Sequence, residues 1–453
     1  MKRALTVCLV AIVVLTACDS ETGDVDKPFA SRYEPLASNT TLLKGATVLT
    51  GTGERLDNSD VLLRDGKIAA LGSDVDAGDA TVIDASDMWI TPGVIDVHSH
   101  LGVYATPHVP AHSDGNEMSM PVTAEVWAEH AVWPQDPGFV TAMAGGITTL
   151  QILPGSGNLI GGRSVTLKNV PGRNVMEMKF PGAPYGLKMA CGENPKRFYG
   201  GKGQSPMTRM GNVAGYRTAW IEAADYRDKM AAAENGKGEA PMRDLRLETL
   251  AGVLNGEILV HNHCYRADEM SIMLEIADEF GYRISSFHHA IEAYKVADLL
   301  AASDTCASMW ADWWGFKMEA FDTIRENAAL VDRAGACAII HSDDAYETQR
   351  LNQEVAKVMG AAARADIEIA PERAIRWITS NPAKALGILE NTGTLEVGKM
   401  ADVVVWDGSP FSVYTKVDRV FIDGALTYDR NDSSVNPVTD FSLGMKVSAG
   451  GAE

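Results

Sequence analysis

The chain has 453 residues, of which 46% are hydrophobic and 22% are charged, a balance that is typical of a folded globular protein and excludes a disordered one. A chain of this length is long enough for one large domain together with a smaller one. Its formal net charge of −20 argues against nucleic acid as a partner, because binding to phosphates requires a basic surface.

The first 18 residues are predicted to form an export signal that is not part of the fold. Lys2 and Arg3 precede an apolar stretch at residues 4–14, which is too short to span a bilayer as a helix. The following tetrapeptide, Leu15-Thr-Ala-Cys18, resembles the lipobox of bacterial lipoproteins. This resemblance implies cleavage before Cys18, lipidation of Cys18 and a location in the cell envelope on the periplasmic side, whereas a plain secretory signal is the alternative.

Residues 19–38 are polar and irregular, and they predict a tether between the anchor and the folded body. No second apolar run of about 20 residues occurs, so we expect contact with the membrane through the lipid anchor alone. Four cysteines remain in the body, where three disulfide pairings are possible. Their spacing is not that of a small disulfide scaffold, and we expect buried free thiols at Cys191, Cys264, Cys306 and Cys337.

Strand-rich segments lie near both ends of the chain. Asp65-Gly66 between two alternating apolar runs predicts a β-hairpin within residues 39–90. Similar short runs punctuated by glycine return in residues 389–430. We therefore predict one small β-sandwich built from both chain ends, followed by a C-terminal tail at residues 431–453.

The middle of the chain, residues 91–388, alternates short apolar runs with helical patterns. Eight runs of strand length begin at Val94 and continue at residues 147–152, 164–167, 185–190, 257–263, 283–289, 305–310 and 335–343. This pattern predicts a (β/α)8 TIM-like barrel, and a doubly wound open sheet is the alternative. The polar segment 194–246, with a helical pattern at 219–234, is expected to extend over the mouth of the barrel.

Histidines lie at the ends of several of these runs. Side chains alternate along the first run, so Asp96, His98 and His100 project to the same side of the strand. Two imidazoles on one side of a strand end can bind one metal ion, although two core histidines are the alternative. In the fifth run, His263 lies nearer the carboxyl end and is the predicted ligand, with His261 behind it.

The fourth, sixth and eighth runs add further polar residues. His288 and His289 point to opposite faces of their strand, and alternation alone does not decide which one faces inward. Asp343 is the predicted metal ligand and proton carrier, whereas Asp344 suits the cap of a following helix. Lys188 lies among apolar residues, where burial would favour a nucleophilic amine; the alternative is a side chain that extends to the rim.

This constellation is similar to that of the amidohydrolase superfamily, in particular its imidazolonepropionase-like and prolidase-like branch. The resemblance covers nearly all of the mature chain. Besides the histidines, lysine and aspartate, it rests on Gly45-Ala-Thr-Val-Leu49, Thr91-Pro-Gly-Val-Ile-Asp96, Asn381-Pro-Ala-Lys-Ala-Leu-Gly387 and Gly393-Thr-Leu-Glu-Val-Gly-Lys-Met-Ala-Asp402. It selects His289 over His288, because the family's sixth-strand ligand precedes a small residue and then x-Glu, as in His289-Ala-Ile-Glu292.

The resemblance implies two divalent metal ions, expected to be zinc. It assigns His98, His100 and Asp343 to one ion and His263 and His289 to the other, with carboxylated Lys188 as the bridging ligand and Glu193 as a substitute bridge. The implied reaction is hydrolysis of a peptide or cyclic amide bond by a metal-activated hydroxide, with Asp343 as general acid and base. One alternative is a ligand-binding envelope lipoprotein without turnover; another is a deaminase of the same superfamily, which would carry a glutamate where Arg266 stands.

Four residues are predicted to contact the substrate, namely Arg163, Tyr265, Arg266 and Trp313. The first three would hold a carboxylate, and Trp313 belongs to an aromatic group that would wall the pocket. The expected partner is a small-molecule or peptide substrate. The sequence leaves the oligomeric state open, and a homo-oligomer is compatible with it.

Overall fold

The computed structural model describes residues 28–439, which contain two eight-stranded sheets. The strands are β1 (Thr41–Leu49), β2 (Arg55–Arg64), β3 (Lys67–Gly72), β4 (Thr81–Asp84), β5 (Trp89–Pro92), β6 (Val94–Ser99), β7 (Ile147–Ile152), β8 (Ile160–Lys168), β9 (Gly186–Ala190), β10 (Leu259–Cys264), β11 (Ile284–His289), β12 (Cys306–Met309), β13 (Cys337–Ile340), β14 (Val403–Trp406), β15 (Val417–Ile422) and β16 (Ala425–Asp429). The α-helices are α1 (Pro137–Ala144), α2 (Glu193–Gly200), α3 (Arg209–Glu234), α4 (Leu245–Leu254), α5 (Ala267–Phe280), α6 (Ala297–Ala302), α7 (Asn327–Arg333), α8 (Leu351–Arg364), α9 (Pro371–Ala374) and α10 (Ser380–Ala385).

Strands β6 to β13 follow one another in chain order around a barrel. β6 and β7 are parallel, and so are β9 to β13, whereas β8 runs antiparallel to both of its neighbours. The eight-stranded barrel is therefore confirmed, but the parallel arrangement that a (β/α)8 barrel implies is wrong at β8. Only residues 153–159 separate β7 from β8, and such a connection is too short for the crossover that parallel strands need.

The barrel is nearly closed by contacts between its first and last strands, β6 and β13. Asp96 on β6 is buried and accepts hydrogen bonds from Ser342 Oγ at 2.5 Å and from Thr348 Oγ1 at 3.1 Å. The backbone N–H of Asp343 donates to the carbonyl of His98 at 3.0 Å. Burial raises the pKa of Asp96 to about 6, although these hydrogen bonds act to lower it. The two edges thus meet at the level where His98 and Asp343 lie.

The long segment at 194–246 is more helical than its sequence predicted. Helix α3 begins at Arg209 rather than at 219, because the Thr208 side chain accepts the Gly211 N–H and caps the helix. α3 packs against α4 and α5, so this part of the segment lies in the outer helical layer rather than over the mouth. The preceding helix α2 lies at the mouth, where Asn194 Nδ2 is 3.4 Å from His263 Nε2.

The strands from the two chain ends form a second sheet, as predicted. Its order is β16-β15-β14-β5-β1-β2-β3, with β4 also paired to β1. Hydrogen bonds between Ile68 and residues 398 and 399 bring β3 close to the start of β14, so the sheet curls around its own apolar core. The sheet thus contains strands from both ends of the chain, and the assignment as a β-sandwich stays a prediction.

Residues 28–38, the described part of the predicted tether, contain no helix or strand and contact the barrel domain. The Arg32 N–H donates to the Met176 carbonyl at 2.8 Å, and Ser31 Oγ donates to the Lys179 carbonyl at 2.7 Å. The predicted export signal, the lipidation site Cys18 and most of the predicted tail lie outside the described residues. Within residues 28–439, no helix combines the length and apolar character that crossing a bilayer requires.

The four body cysteines form two disulfides, Cys191–Cys264 and Cys306–Cys337, so the prediction of free thiols is wrong. Cys306 and Cys337 occupy paired positions on β12 and β13. Cys191 follows β9, beside Cys264 at the end of the neighbouring β10. The partners are 73 and 31 residues apart in sequence and meet only because their strands are adjacent, which spacing alone does not reveal.

A buried ionic cluster joins the barrel to the second sheet. Lys168 on β8 is fully buried, and its ammonium donates to Asp402 Oδ1 at 3.1 Å and to Asp423 Oδ1 at 2.7 Å. Thr392 Oγ1 donates to the second oxygen of Asp402 at 2.8 Å, and the Tyr33 hydroxyl donates to Asp423. Because both carboxylates are buried, the lysine provides the positive charge that they need.

We expect Lys168→Met to lower the free energy of unfolding by about 3–5 kcal/mol, because two buried carboxylates would lose their cation. The control is Arg173→Met, which removes an ion pair to Glu177 from a side chain that is 90% exposed. This control should leave the unfolding midpoint close to that of the wild type, because water screens an exposed ion pair. Urea unfolding of both variants measures the difference, and equal midpoints would show that the cluster adds nothing to stability.

Candidate metal centre

The ends of β6, β9 and β13 bring four of the predicted ligands together. His98 Nε2 lies 3.4 Å from Asp343 Oδ1, and His100 Nε2 lies 3.2 Å from the same oxygen. Lys188 Nζ is 3.3 Å from His98 Nε2. The two histidines share a face because they are two positions apart, and the barrel seam places Asp343 opposite them.

The remaining predicted ligands, His263 and His289, complete the cluster. Their ring centroids are 4.5 Å apart, and His289 is 4.8 Å from the ring of His98. His289 Nδ1 also lies 3.9 Å from Asp343 Oδ2. All six residues predicted as ligands therefore meet at one end of the barrel, although they span 246 positions of the sequence.

His341 is a member of this cluster that the sequence analysis missed. Its ring centroid is 5.0 Å from those of both His98 and His289, and its Nε2 accepts the backbone N–H of His289 at 3.3 Å. The signal was present in the sequence, since His341 is two positions before Asp343 and therefore shares its side of the strand.

The donor atoms fit divalent cations. Two sets, His98 with His289 and His341, and His98 with His100 and Asp343, each offer atoms that lie within 4.8 Å of one another. His263 Nδ1 and His289 Nδ1 are buried and have no hydrogen-bond partner within the described residues. Nitrogen and carboxylate ligands in such a cluster suit zinc and similar transition metals.

Burial shifts the pKa values of three histidines and the lysine of the cluster toward the neutral forms that bind metal ions. The pKa values of His98, His263 and His289 are lowered well below their ordinary value, mainly by burial and then by nearby positive charge, so the imidazoles are neutral. Burial likewise lowers the pKa of Lys188 to about 8, while the charge of Asp343 acts to raise it. A fraction of Lys188 is therefore a neutral amine near neutral pH.

Hydrogen bonds behind the cluster orient two of its histidines. His98 Nδ1 is 2.8 Å from His288 Nδ1, and His288 Nε2 is 3.0 Å from His261 Nδ1. His100 Nδ1 is 2.8 Å from the carbonyl of Leu153. His261 and His288 thus lie in a second layer, as the sequence analysis proposed for His261. With the Nδ1 atoms engaged, His98 and His100 present Nε2 to the cluster.

Two of the four predicted substrate contacts lie beside the cluster. The Tyr265 ring is 5.2 Å from that of His289 in a stacked arrangement and 4.9 Å from that of His263. Trp313 stacks on Trp310 at 4.6 Å, and Trp310 stacks on His289 at 4.2 Å. These aromatic rings form one wall of the barrel mouth.

The structure does not bring the other two predicted substrate contacts to the cluster. Arg163 lies on the outer side of β8, where it donates to Thr249 Oγ1 at 2.8 Å and covers the Trp127 ring at 4.2 Å. Its neighbour Gly162 pairs with Lys188, so alternation turns Arg163 away from the site. Arg266 is partly exposed and forms an ion pair with Asp268 at 2.9 Å.

Helix α2 and the loop after β12 add a polar group at the mouth. Glu193 is the predicted substitute bridge, and its carboxylate lies 3.6 Å from Arg197 in the same helix. The backbone N–H of Glu193 donates to Glu319 Oε1 at 2.6 Å. Lys317 Nζ donates to Asn194 Oδ1 at 3.2 Å and lies 3.8 Å above the Tyr265 ring. Lys317 Nζ also lies 3.5 Å from the Glu319 carboxylate, so this positive charge near the cluster is already paired.

Comparisons with known proteins agree with this geometry. A family model described as "Amidohydrolase family" matches residues 241–429. The amidohydrolase tasK of Hapsidospora irregularis is 31% identical over 397 residues, which is 82% of this chain but 40% of that protein. The imidazolonepropionase of Mesorhizobium japonicum is 25% identical over 374 residues, 78% of this chain and 87% of that protein.

Two solved structures extend the comparison. The crystal structure of an amidohydrolase from Thermotoga maritima superimposes with a TM-score of 0.80 at 34% identity, over 86% of this chain and 100% of that one. A candidate prolidase from Bifidobacterium longum has a TM-score of 0.53 at 14% identity, over 88% of this chain and 98% of that one. The second likeness shows a shared fold alone.

We expect His288→Leu to weaken zinc binding about 10- to 100-fold, because His98 loses the partner that holds its ring. His288→Asn should recover part of this loss, since its amide oxygen offers an acceptor in the same place. The control is His130→Leu, which removes a 46% exposed imidazole beside Trp127. Competition with a chromogenic chelator measures the affinities, and wild-type affinity in His288→Leu would contradict the orienting role.

Proposed function

Because the chain belongs to the amidohydrolase family of hydrolases that act on carbon–nitrogen bonds, we propose that it is a metal-dependent enzyme that hydrolyses a peptide or cyclic amide bond. The observation that supports the proposal most strongly is the meeting of His98, His100, Lys188, His263, His289 and Asp343 at one end of the barrel. A protein that only binds a ligand has no need of this donor set.

The proposed centre holds two divalent ions, most simply zinc. His98, His100 and Asp343 would bind one ion, and His263 and His289 would bind the other. Lys188 would join them after its neutral amine attacks the carbon of carbon dioxide and loses a proton, which leaves a carbamate with two oxygen donors. When bound, such ions make water acidic and polarise a carbonyl group.

Asp343 is suited to carry a proton between water and substrate. Its side chain is 22% exposed, so it faces the open mouth rather than the sealed core. One oxygen faces His98 and His100 and the other faces His289, which places the carboxylate between the two proposed ligand groups. We propose that Asp343 accepts a proton from the attacking water and returns it to the leaving nitrogen.

We further propose that the protein is a lipoprotein of the cell envelope, anchored through Cys18 on the periplasmic side. The two disulfides support this location, because disulfides persist in oxidising compartments and are rare in the reducing cytosol. The substrate would then be a small molecule or peptide that reaches the envelope. Palmitate labelling of the expressed full chain tests the anchor, and unlabelled Cys18 would contradict it.

Asp343→Asn should retain metal but lower kcat about 10²- to 10⁴-fold, because the variant cannot accept the proton. The control is Asp344→Asn, since Asp344 Oδ1 caps the next turn by accepting from Tyr346 N at 2.7 Å and Glu347 N at 2.9 Å. An asparagine keeps that oxygen, so the control should remain active. Turnover of dipeptides and cyclic amides by zinc-loaded protein measures the effect, together with metal content by mass spectrometry.

Two outcomes would count against the proposal. Full turnover by Asp343→Asn would remove Asp343 from its role as proton carrier. Saturable binding of panel compounds by the metal-loaded wild type, without hydrolysis of any of them, would favour the ligand-binding alternative.

A further inference from the structure

The disulfide Cys191–Cys264 lies directly beside two proposed ligands. Cys264 immediately follows His263, and Cys191 is three positions after Lys188. The backbone N–H of Cys191 donates to the His263 carbonyl at 2.9 Å, and the α-carbons of the two cysteines are 5.2 Å apart. Both cysteines are buried. The cross-link therefore sits where β9 and β10 end and their chains turn away into different connections.

His263 is held differently from His98 and His100. Each of those two has Nδ1 in a 2.8 Å contact with a fixed partner, His288 or the Leu153 carbonyl. His263 Nδ1 has no hydrogen-bond partner within the described residues, and its Nε2 has a 3.4 Å contact with the Asn194 amide. Its ring position therefore depends on ring packing and on where the backbone of β10 ends.

We propose that the Cys191–Cys264 disulfide is a positioning element that holds the ends of β9 and β10 at the separation needed for Lys188 and His263 to bind metal together. The inference rests on the proposed metal-dependent function. The disulfide fixes the backbone position of His263, just as hydrogen bonds fix the ring orientations of His98 and His100. Fixing both strand ends before metal arrives removes an ordering cost from binding.

The second disulfide supplies a matched control within the same barrel. Cys306 and Cys337 are the first residues of β12 and β13, whereas the proposed ligands lie at the opposite, carboxyl ends of the barrel strands. Both disulfides join neighbouring parallel strands and both are shielded from solvent to a large extent. Loss of either disulfide should destabilise the fold, but only the loss of Cys191–Cys264 should speed the release of bound metal.

The test compares two double variants, Cys191→Ala with Cys264→Ala and Cys306→Ala with Cys337→Ala. After zinc loading, we measure the rate of zinc transfer to an excess of chelator and, separately, the urea unfolding midpoint. The first variant should release zinc about 10- to 100-fold faster than the wild type, the range seen when groups that support a ligand are removed. The Cys306→Ala, Cys337→Ala variant should release zinc at a rate within about twofold of the wild-type rate. This should hold even if its unfolding midpoint falls as much as that of the first variant.

Equal release rates for the two double variants would overturn the proposal. A wild type that binds no zinc would instead contradict the proposed function, so the two failures are distinguishable.

If the Cys191→Ala, Cys264→Ala variant does not fold, hydrogen exchange of the wild-type protein tests the proposal instead. The backbone N–H groups of Cys191 and Ala290, which donate to the carbonyls of His263 and Cys264, should stay as protected in the metal-free protein as in the loaded one. Fast exchange at these positions without metal would show that the disulfide does not hold the strand ends.

Discussion

The burial of several imidazoles and an amine in one cluster, beside the partly exposed Asp343 carboxylate, is the constraint on which the site depends. Polar atoms removed from water need partners, and His263 Nδ1 and His289 Nδ1 have none within the described residues. The same burial keeps His98, His263 and His289 neutral and lowers the pKa of Lys188 to about 8, which favours the forms that bind cations and react with carbon dioxide. A divalent metal would satisfy these atoms, and without one their burial is a cost that the rest of the fold must offset.

Contacts on several sides of the cluster stabilise it and offset this cost. Asp96 and Ser342 join the first and last strands beneath the site, and the chain His98–His288–His261 supports it from the interior. The ionic cluster around Lys168 ties the barrel to the second sheet. Rigid support of this kind matters because ligands must already be close to their binding geometry if metal affinity is to be high.

Much of the site was predictable from strand periodicity. Residues two apart at a strand end share a face, which predicted His98 with His100 and would also have predicted His341 with Asp343. The choice between His288 and His289 required the family resemblance, and the structure places His289 in the cluster and His288 behind it. Strand direction was not predictable from apolar runs alone, and Arg163 lies outside because alternation along β8 turns it away from the face shared with Lys188. The disulfides were missed because their partners are neighbours only in the folded sheet.

The central claim is that these scattered residues bind metal at one place, and anomalous diffraction from zinc-loaded crystals tests it most directly. We expect anomalous peaks at about 2.1 Å from ring nitrogens of His98 and His263. We also expect added density on Lys188 Nζ between the two positions. Zinc bound elsewhere on the protein, with the cluster residues turned away from one another, would contradict the account.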